Sequence, residues 1–290
     1  MQTKAFSSSA QTFAALQTLA VAIQTGNDAL GALKTLKASP MFSGKGWQAN
    51  FAKLERVLET YSVEYSIFAE GGNSKLPFVS FSSLPGVTCP GAGQCLDFCY
   101  SFRAWRYPAA FCRQAQNAFF MRQWQGRGQI LAAMDQIAHK INAPFDLRLY
   151  VDGDFSSIGD VAFWMDVLEK TPNAKAYGYS KSFDQILGYA QTNKLPSNYV
   201  LNISGGHNAT QEIVDRVKAL PITRGEFLAV SIGRKVKASE HGKLETVKAL
   251  RNAFPAKAFP CPGKCGSCTG KGHACGMPAL KGLPIIIAMH

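Results

Sequence analysis

The stretch Phe145-Asp-Leu-Arg-Leu-Tyr-Val-Asp-Gly-Asp154 gives the first indication of the fold of this chain. Its first seven residues predict a strand, and the Asp-Gly-Asp turn ends that strand. Further strands are predicted at residues 174–179, 199–203 and 227–232, with helices at residues 158–168, 183–190 and 210–220 between them. Because strands alternate with helices, the expected fold is α/β, with a parallel sheet that is open or closed into a full or partial (β/α) barrel.

Polar residues follow the predicted strands, at the ends where parallel sheets gather their working groups. Four of them, Asp152, Asp154, Lys181 and His207, are predicted to act in catalysis. A wider set is predicted to bind a cofactor: Asp152, Gly153, Asp154, Ser180, Ser204, Gly205 and Gly206. The alternative for the aspartates is a turn in which each carboxylate bonds its own backbone, and the alternative for the histidine is a surface or capping position.

Residues 87–100, Val-Thr-Cys-Pro-Gly-Ala-Gly-Gln-Cys-Leu-Asp-Phe-Cys-Tyr, form a segment that we call the cysteine loop. It follows an apolar run at residues 77–81 that predicts a strand. Its proline and glycines prevent a regular helix or strand and let the backbone fold tightly. Thiolates from Cys89, Cys95 and Cys99 would repel one another unless a soft cation neutralised them, so the loop predicts metal or cluster ligation. Buried, inert cysteines are the alternative.

A second group of cysteines, Cys261, Cys265, Cys268 and Cys275, lies in a glycine-rich tail. Their spacing predicts a compact tetrathiolate metal knot. Zinc accepts four thiolates in a closed site and iron–sulfur clusters use the same ligands, so the spacing leaves both metals open. The cysteine loop supplies three thiolates, with Cys112 as a distant candidate for a fourth. A site with three thiolates leaves one position open for chemistry.

Three parts are expected along the chain. Residues 1–75 are predicted to form a helical N-terminal subdomain, residues 76–255 the β/α core with the cysteine loop, and residues 256–290 the cysteine-rich, metal-binding tail. In the first part Asp28 is predicted to cap the second of three helices. Nothing in that part of the sequence indicates chemistry.

The composition predicts an anionic partner. The 290 residues include 31 Lys and Arg against 19 Asp and Glu, for a net charge of +12, which favours nucleic acid or a phosphorylated substrate. Arginines and aromatic residues interleave over residues 100–127 in a pattern compatible with single-stranded nucleic acid, although the packed and solvated faces of one helix are its more ordinary explanation. Neither a secretory signal nor a membrane span is expected, and the clustered cysteines favour the reducing cytoplasm.

Three cysteines after the first strand of a β/α sheet, with Asp152-Gly-Asp154 at the next strand end, resemble the radical S-adenosylmethionine enzymes. In that family three cysteines hold a four-iron cluster, and the turn after the next strand contacts the amino group of the cofactor. The resemblance implies a 4Fe–4S cluster on Cys89, Cys95 and Cys99, and S-adenosylmethionine as a cofactor. The intervals in the cysteine loop are longer than in that family, whereas the first three tail cysteines have its spacing.

A closer resemblance is carried by several segments together. Residues 84–92, Leu-Pro-Gly-Val-Thr-Cys-Pro-Gly-Ala, residues 152–155, Asp-Gly-Asp-Phe, residues 177–182, Tyr-Gly-Tyr-Ser-Lys-Ser, and the cysteine-rich tail are similar to the gene product 88 family of phages and plasmids. The similarity extends over residues 84–275. It implies a mobile-element origin and metal sites, without specifying a reaction.

Three functions are compatible with these features. The first is an iron–sulfur protein of mobile-element type with one or two 4Fe–4S clusters, a radical S-adenosylmethionine-like enzyme acting on an anionic or nucleic-acid-related substrate. The second is a non-enzymatic nucleic-acid-binding protein stabilised by zinc. The third is an iron–sulfur protein of electron transfer or redox sensing. Brown colour after purification without oxygen would favour iron, and binding of S-adenosylmethionine would separate the first function from the third.

Overall fold

The computed structural model describes residues 10–71, 78–263, 268–269 and 272–289. An eight-stranded open sheet runs through it in the order β1-β2-β3-β4-β5-β6-β8-β7. Only β1 and β2 pair antiparallel, and every other described pair of neighbours is parallel. The strands are β1 (Ala69–Glu70), β2 (Val79–Ser80), β3 (Phe145–Leu149), β4 (Ala174–Ser180), β5 (Tyr199–Ser204), β6 (Thr223–Val230), β7 (Phe259–Pro260) and β8 (Ile285–Ala288). The predicted parallel α/β sheet is confirmed in its open form.

Helices precede and separate these strands. They are α1 (Ala10–Thr25), α2 (Ala29–Ala38), α3 (Lys45–Thr60), α4 (Pro108–Arg122), α5 (Trp124–Ile141), α6 (Ile158–Lys170), α7 (Phe183–Ala190), α8 (Gln211–Lys218) and α9 (Leu244–Ala253). Asp28 caps α2 as predicted, because its Oδ1 accepts a hydrogen bond of 2.8 Å from the Gly31 N–H. None of the described helices is long and apolar enough to cross a membrane.

The N-terminal helices share their core with the sheet. Helices α1 and α3 both pack against α4. Leu16 of α1 and Phe51 of α3 are fully buried in the same apolar cluster as Leu147 of β3. The helical N-terminal region is therefore continuous with the body that carries the cysteine loop.

The two faces of the sheet have different covers. Strands β2 to β6 follow chain order across the sheet, so right-handed crossovers return every connecting helix to one face. Along β4, Ala174 and Ala176 point to the apolar cluster of the helices, whereas Tyr177 and Tyr179 point to a second cluster that contains Cys275. Helices thus cover one face, and the cysteine-rich tail covers part of the other.

Several strand limits differ from the prediction. Strand β3 ends at Leu149 rather than at Val151, because Tyr150 adopts a left-handed backbone conformation with a φ of 53°. Strand β6 starts at Thr223, four residues before the predicted start at Phe227, since its first half includes a buried arginine that hides the strand pattern. Strand β2 covers Val79–Ser80 of the predicted run, and Pro77 lies outside the described residues.

Three strands, β1, β7 and β8, were not predicted, and neither were helix α9 and most of α5. Strands β7 and β8 belong to the segment that the sequence suggested was only a metal-binding tail, and α9 precedes them. Strand β8 lies between β6 and β7 and pairs with both in parallel. The polypeptide on either side of the tail cysteines is therefore part of the sheet.

Candidate metal site

The cysteine loop is fixed across the carboxyl ends of the parallel strands by its own backbone. The N–H groups of Gly93 and Cys95 both donate to the carbonyl oxygen of Gly206, at 3.1 and 3.3 Å. The N–H of Asn208 donates in turn to the carbonyl oxygen of Gly91, at 3.2 Å. Because Gly206 and Asn208 follow β5, the loop after β2 reaches across two intervening strand ends.

Two glycines permit this close approach. A Cβ atom built on Gly91 would lie 1.7 Å from the carbonyl oxygen of Lys181, a distance that no side chain tolerates. Gly206 has a φ of +76° and would place a Cβ atom 3.2 Å from the Cβ of Cys95. The loop can therefore rest directly on the ends of β4 and β5 only because both positions lack a side chain.

Asp154 ties the end of β3 to the end of β4. Its carboxylate is buried, with 4% exposure. One oxygen, Oδ1, accepts hydrogen bonds from the Ser180 hydroxyl at 2.7 Å and from the Phe155 N–H at 2.9 Å, and Oδ2 accepts from the Lys181 N–H at 2.7 Å. Burial raises the pKa of Asp154, and the bonds from Lys181 and Ser180 oppose that rise. This carboxylate positions the next strand end.

Lys181, Ser204 and His207 form a polar cluster beside the loop. The Lys181 ammonium donates to the Ser204 hydroxyl at 2.7 Å. The imidazole of His207 packs edge-on against the Phe183 ring, with 5.0 Å between ring centroids, and its backbone forms a bridge with Ala92 of the loop. Burial and the nearby Lys181 cation both lower the pKa of His207. The predicted strand-end residues on β4 and β5 are thus brought together.

Gly205 takes part in the hydrogen bonding of the sheet. Its N–H donates to the carbonyl oxygen of Phe227 at 2.9 Å, which continues the pairing of β5 with β6 beyond the end of β5. Its predicted contact with a cofactor stays a prediction.

Asp152 lies in different surroundings from Asp154. Its Oδ2 accepts a hydrogen bond of 2.9 Å from the Gln114 amide, whose oxygen accepts one of 3.0 Å from the Trp105 indole N–H. The hydroxyls of Ser101 and Ser82 also bond the carboxylate. Four side chains from outside β3 therefore determine where this carboxylate points.

Gly153 separates the two carboxylates. It has a φ of +81°, and a Cβ atom there would lie 2.6 Å from the Thr88 hydroxyl. The turn directs Asp152 toward α4 and Asp154 toward β4. The predicted pair of catalytic aspartates is thus divided between two sets of partners.

The loop sulfurs share one electrostatic environment. Cys89, Cys95 and Cys99 are half-buried free thiols. Burial raises the pKa of Cys89, and so do the negative charges of Asp154 and Cys99. Burial likewise raises the pKa of Cys99, with Cys95 among the further causes. A cation bound among these sulfurs would offset the negative charge of their thiolates.

The described residues do not form a complete coordination shell around the loop sulfurs. Within the described ranges, no group of three or more His, Cys, Asp or Glu side chains is arranged to hold a metal ion. Cys112 lies in the core on α4, where the Tyr65 hydroxyl is its polar neighbour. The donor atoms of the loop therefore fit a thiophilic metal by their chemical type, while the predicted ligation itself stays a prediction.

The tail sulfurs receive hydrogen bonds from the protein. The Gly263 N–H donates to the sulfur of Cys261 at 3.5 Å, and the Ala274 N–H donates to that of Cys268 at 3.2 Å. Sulfur ligands of metal centres accept hydrogen bonds of this kind. Cys265, the fourth predicted ligand of this group, lies outside the described residues.

Cys275 lies near two arginine side chains. Burial raises its pKa to about 11, while the Tyr179 hydroxyl and the nearby Arg224 and Arg148 lower it. Arg224 is itself buried, and its guanidinium donates to the side-chain oxygen of Asn202 and to the carbonyl oxygen of Leu283. A buried guanidinium bound to neutral oxygens leaves its charge available to a nearby thiolate.

Arg148 connects the two cysteine groups. Its guanidinium lies over the ring of Tyr179, 4.8 Å from the centroid, and bonds the Tyr100 hydroxyl next to Cys99. Sequence analysis overlooked Arg148, Gln114 and Arg224. A signal existed for Arg148, because it alternates in β3 with two leucines that face the helices.

Together, these features define an α/β protein whose parallel sheet carries a cysteine loop at its carboxyl edge and a cysteine-rich tail on one face. The chain belongs to the gene product 88 family, whose model matches residues 52–276. The matched range includes the cysteine loop, the polar strand ends and the tail cysteines. No curated protein and no solved structure gives a match to the chain.

Proposed function

We propose that this protein is an iron–sulfur protein whose cysteine loop holds a 4Fe–4S cluster at the carboxyl edge of the sheet. The observation that carries the proposal is the attachment of the loop to the ends of β4 and β5 through Gly91 and Gly206. That attachment places Cys95 against Gly206, and Cys89 lies near Lys181 of the polar cluster. A metal held there by three thiolates would have one open position facing polar side chains.

The order of the sheet supports a radical S-adenosylmethionine-like core. Strands β2 to β6 run parallel in chain order, and the cysteine loop follows β2, the first of them. The turn with Asp152, Gly153 and Asp154 follows the next strand. When bound and reduced by an electron donor, the cluster would supply one electron to cleave S-adenosylmethionine.

The chain's own residues would have separable roles in such a site. Cys89, Cys95 and Cys99 would hold the cluster. The ammonium group of Lys181, kept in place by Ser204, would bind an anionic group of the cofactor or substrate. Asp154 would act as a positioning residue, since it fixes the backbone of Lys181.

The tail would hold a second centre, either a cluster or zinc. Cys261, Cys265, Cys268 and Cys275 are its proposed ligands. Support comes from the N–H···S hydrogen bonds to Cys261 and Cys268. Its place on the sheet face gives this centre a structural role, with packing against Tyr177 and Tyr179.

The test is metal analysis of protein purified without oxygen, comparing Cys95→Ser with Cys112→Ser. We expect the wild type to be brown and to contain iron and acid-labile sulfide. Cys95→Ser should lose the iron of the loop, whereas Cys112→Ser, which alters a core thiol beside Tyr65, should keep it. Equal iron in the two variants would contradict ligation by the loop, and a colourless protein with zinc alone would favour the nucleic-acid-binding alternative.

Binding of S-adenosylmethionine is measured separately, by equilibrium dialysis. The proposal predicts binding by the wild type and by Cys112→Ser, with a loss in Cys95→Ser. An iron-loaded wild type that does not bind the compound would leave electron transfer or redox sensing as the function of the cluster.

A further inference from the structure

A cavity of about 400 Å³ lies next to the cysteine loop, where Tyr100 and Ser101 line it directly after Cys99. It is formed where β2 and β3 end, beneath a 3₁₀ helix (Tyr100–Arg106) and the start of α4. Its volume falls in the range of small-molecule sites. We call it the arginine cavity, after its main polar lining residues: Ser80, Ser82, Ser101, Arg103, Arg113 and Asp152.

Two guanidinium groups in this lining lack a counter-charge. Arg103 on the 3₁₀ helix and Arg113 on α4 form no ion pair with any carboxylate in the part of the chain that the structure describes. Arg113 is half-buried, so its charge is only partly solvated. A cavity wall with two uncompensated arginines attracts an anion.

The carboxylate in the wall does not cancel these charges. Asp152 accepts hydrogen bonds from Gln114, Ser101 and Ser82, and the Arg148 cation acts on it from the sheet side. These groups already offset the negative charge of Asp152, without any contribution from Arg103 or Arg113. The surplus positive charge of Arg103 and Arg113 is available to a ligand.

The arrangement of groups selects among anions. Guanidinium groups match phosphate oxygens with paired N–H donors. The Ser80 hydroxyl, unlike those of Ser82 and Ser101, is not engaged by Asp152 and can donate a further bond to the same group. An anchored carboxylate instead accepts from hydroxyl hydrogens, so Asp152 suits the sugar or polyol part of a phosphate ester. An inorganic anion would leave that carboxylate unused.

We propose that the arginine cavity binds a small phosphate monoester, with its phosphate on Arg103 and Arg113 and a hydroxyl on Asp152. This site is independent of the proposed cluster, although Tyr100 and Ser101 of its wall directly follow Cys99. It would give the protein a phosphorylated small-molecule ligand, whatever metal the cysteines hold.

Isothermal titration calorimetry with ribose 5-phosphate, inorganic phosphate and ribose tests the proposal. Ribose 5-phosphate should bind and ribose should not. Arg113→Gln and Arg103→Gln should each weaken binding by about tenfold or more, as expected for a lost charge-assisted hydrogen bond. Arg216→Gln, on an exposed position of α8, is the matched control for the change in net charge and should bind as the wild type does.

The ester part of the proposal is tested with Asp152→Asn. This variant should weaken the binding of ribose 5-phosphate and leave that of inorganic phosphate unchanged or tighter. Equal affinity of the wild type for both phosphates would overturn the role of Asp152. Absence of phosphate binding by folded wild-type protein, or equal losses in Arg113→Gln and Arg216→Gln, would overturn the site.

Metal-free Cys95→Ser protein separates this proposal from the previous one. It should still bind ribose 5-phosphate, provided that circular dichroism shows it folded. Loss of binding in folded, metal-free protein would contradict the independence of the cavity. Iron content in the wild type has no bearing on the result.

Discussion

In the cysteine loop Cys89 lies near the carboxylate of Asp154, whereas in the tail Cys275 lies near the guanidinium of Arg224. Besides burial, nearby negative groups raise the pKa of Cys89 and Cys99, whereas nearby arginines lower that of Cys275. A protein can stabilise a thiolate with its own cations, or it can leave the charge for a metal to neutralise. The surroundings of Cys275 match the first arrangement, and the metal site that we propose for the loop would be the second.

The two regions also differ in how they are fastened. Backbone hydrogen bonds to Gly206 hold the loop against the strand ends. The tail is attached through Asn202, whose side-chain amide donates to the carbonyl oxygen of Cys275 at 2.9 Å, and through pairing of Cys261 with Ile286. We therefore expect the loop to be most sensitive to a side chain added at its backbone contacts. The tail should be most sensitive to the loss of its buried polar side chains.

The largest effect is expected from Arg224→Met. The change removes the buried cation and leaves the oxygens of Asn202 and Leu283 without their donor. We expect a loss of about 3–5 kcal/mol in the free energy of unfolding, measured by urea denaturation. Arg216→Met, an exposed arginine on α8, should change it little. A loss below about 1 kcal/mol would contradict the importance of this cation to the tail.

A smaller effect is expected from Gly91→Ala, which places a methyl group against the Lys181 carbonyl oxygen. Overpacking of this kind costs about 1–3 kcal/mol. Gly128→Ala on α5, where a Cβ atom meets nothing within 4 Å, should instead stabilise the protein slightly. Metal analysis of Gly91→Ala should show loss from the loop with the tail metal retained, and loss from both regions would refute their independence.

The smallest effect is expected from Tyr179→Phe. It deletes the hydroxyl that bonds Cys275 and leaves the ring beneath Arg148. One lost hydrogen bond predicts about 1 kcal/mol of destabilisation and faster release of the tail metal to a chelator. Tyr107→Phe, at a site with 67% exposure, should leave both quantities unchanged. Equal release rates in the two variants would show that the hydroxyl does not support the tail centre.

The strands that bear the candidate site could be predicted because local pattern determines them. Helix α7 was predicted at its observed limits, and β4 and β5 to within one residue, since their apolar residues are bounded by clear turn signals. Strand β8 was not predicted because its four residues lie beyond a segment dominated by cysteine and glycine. The start of strand β6 was placed too late because Arg224, which is buried, has the sequence character of a surface residue.

The division of the two aspartates could not be foreseen. It depends on Gln114, which is 38 residues away along the chain, and on the backbone of Gly153. Likewise, the contact of Cys95 with Gly206 is fixed by the positions of two loops across the sheet. Sequence pattern identified which residues end the strands, but their partners depend on tertiary packing.

The position of β8 between β6 and β7 has a consequence for biosynthesis. Strands β2 to β6 can assemble in the order in which the ribosome makes them, yet β7 has no described sheet partner until Ile285–Ala288 emerges. The tail cysteines are translated before that last strand and must wait for it to take their final place. Newly made chains therefore pass through a stage in which the tail thiols still lack their neighbours in the sheet.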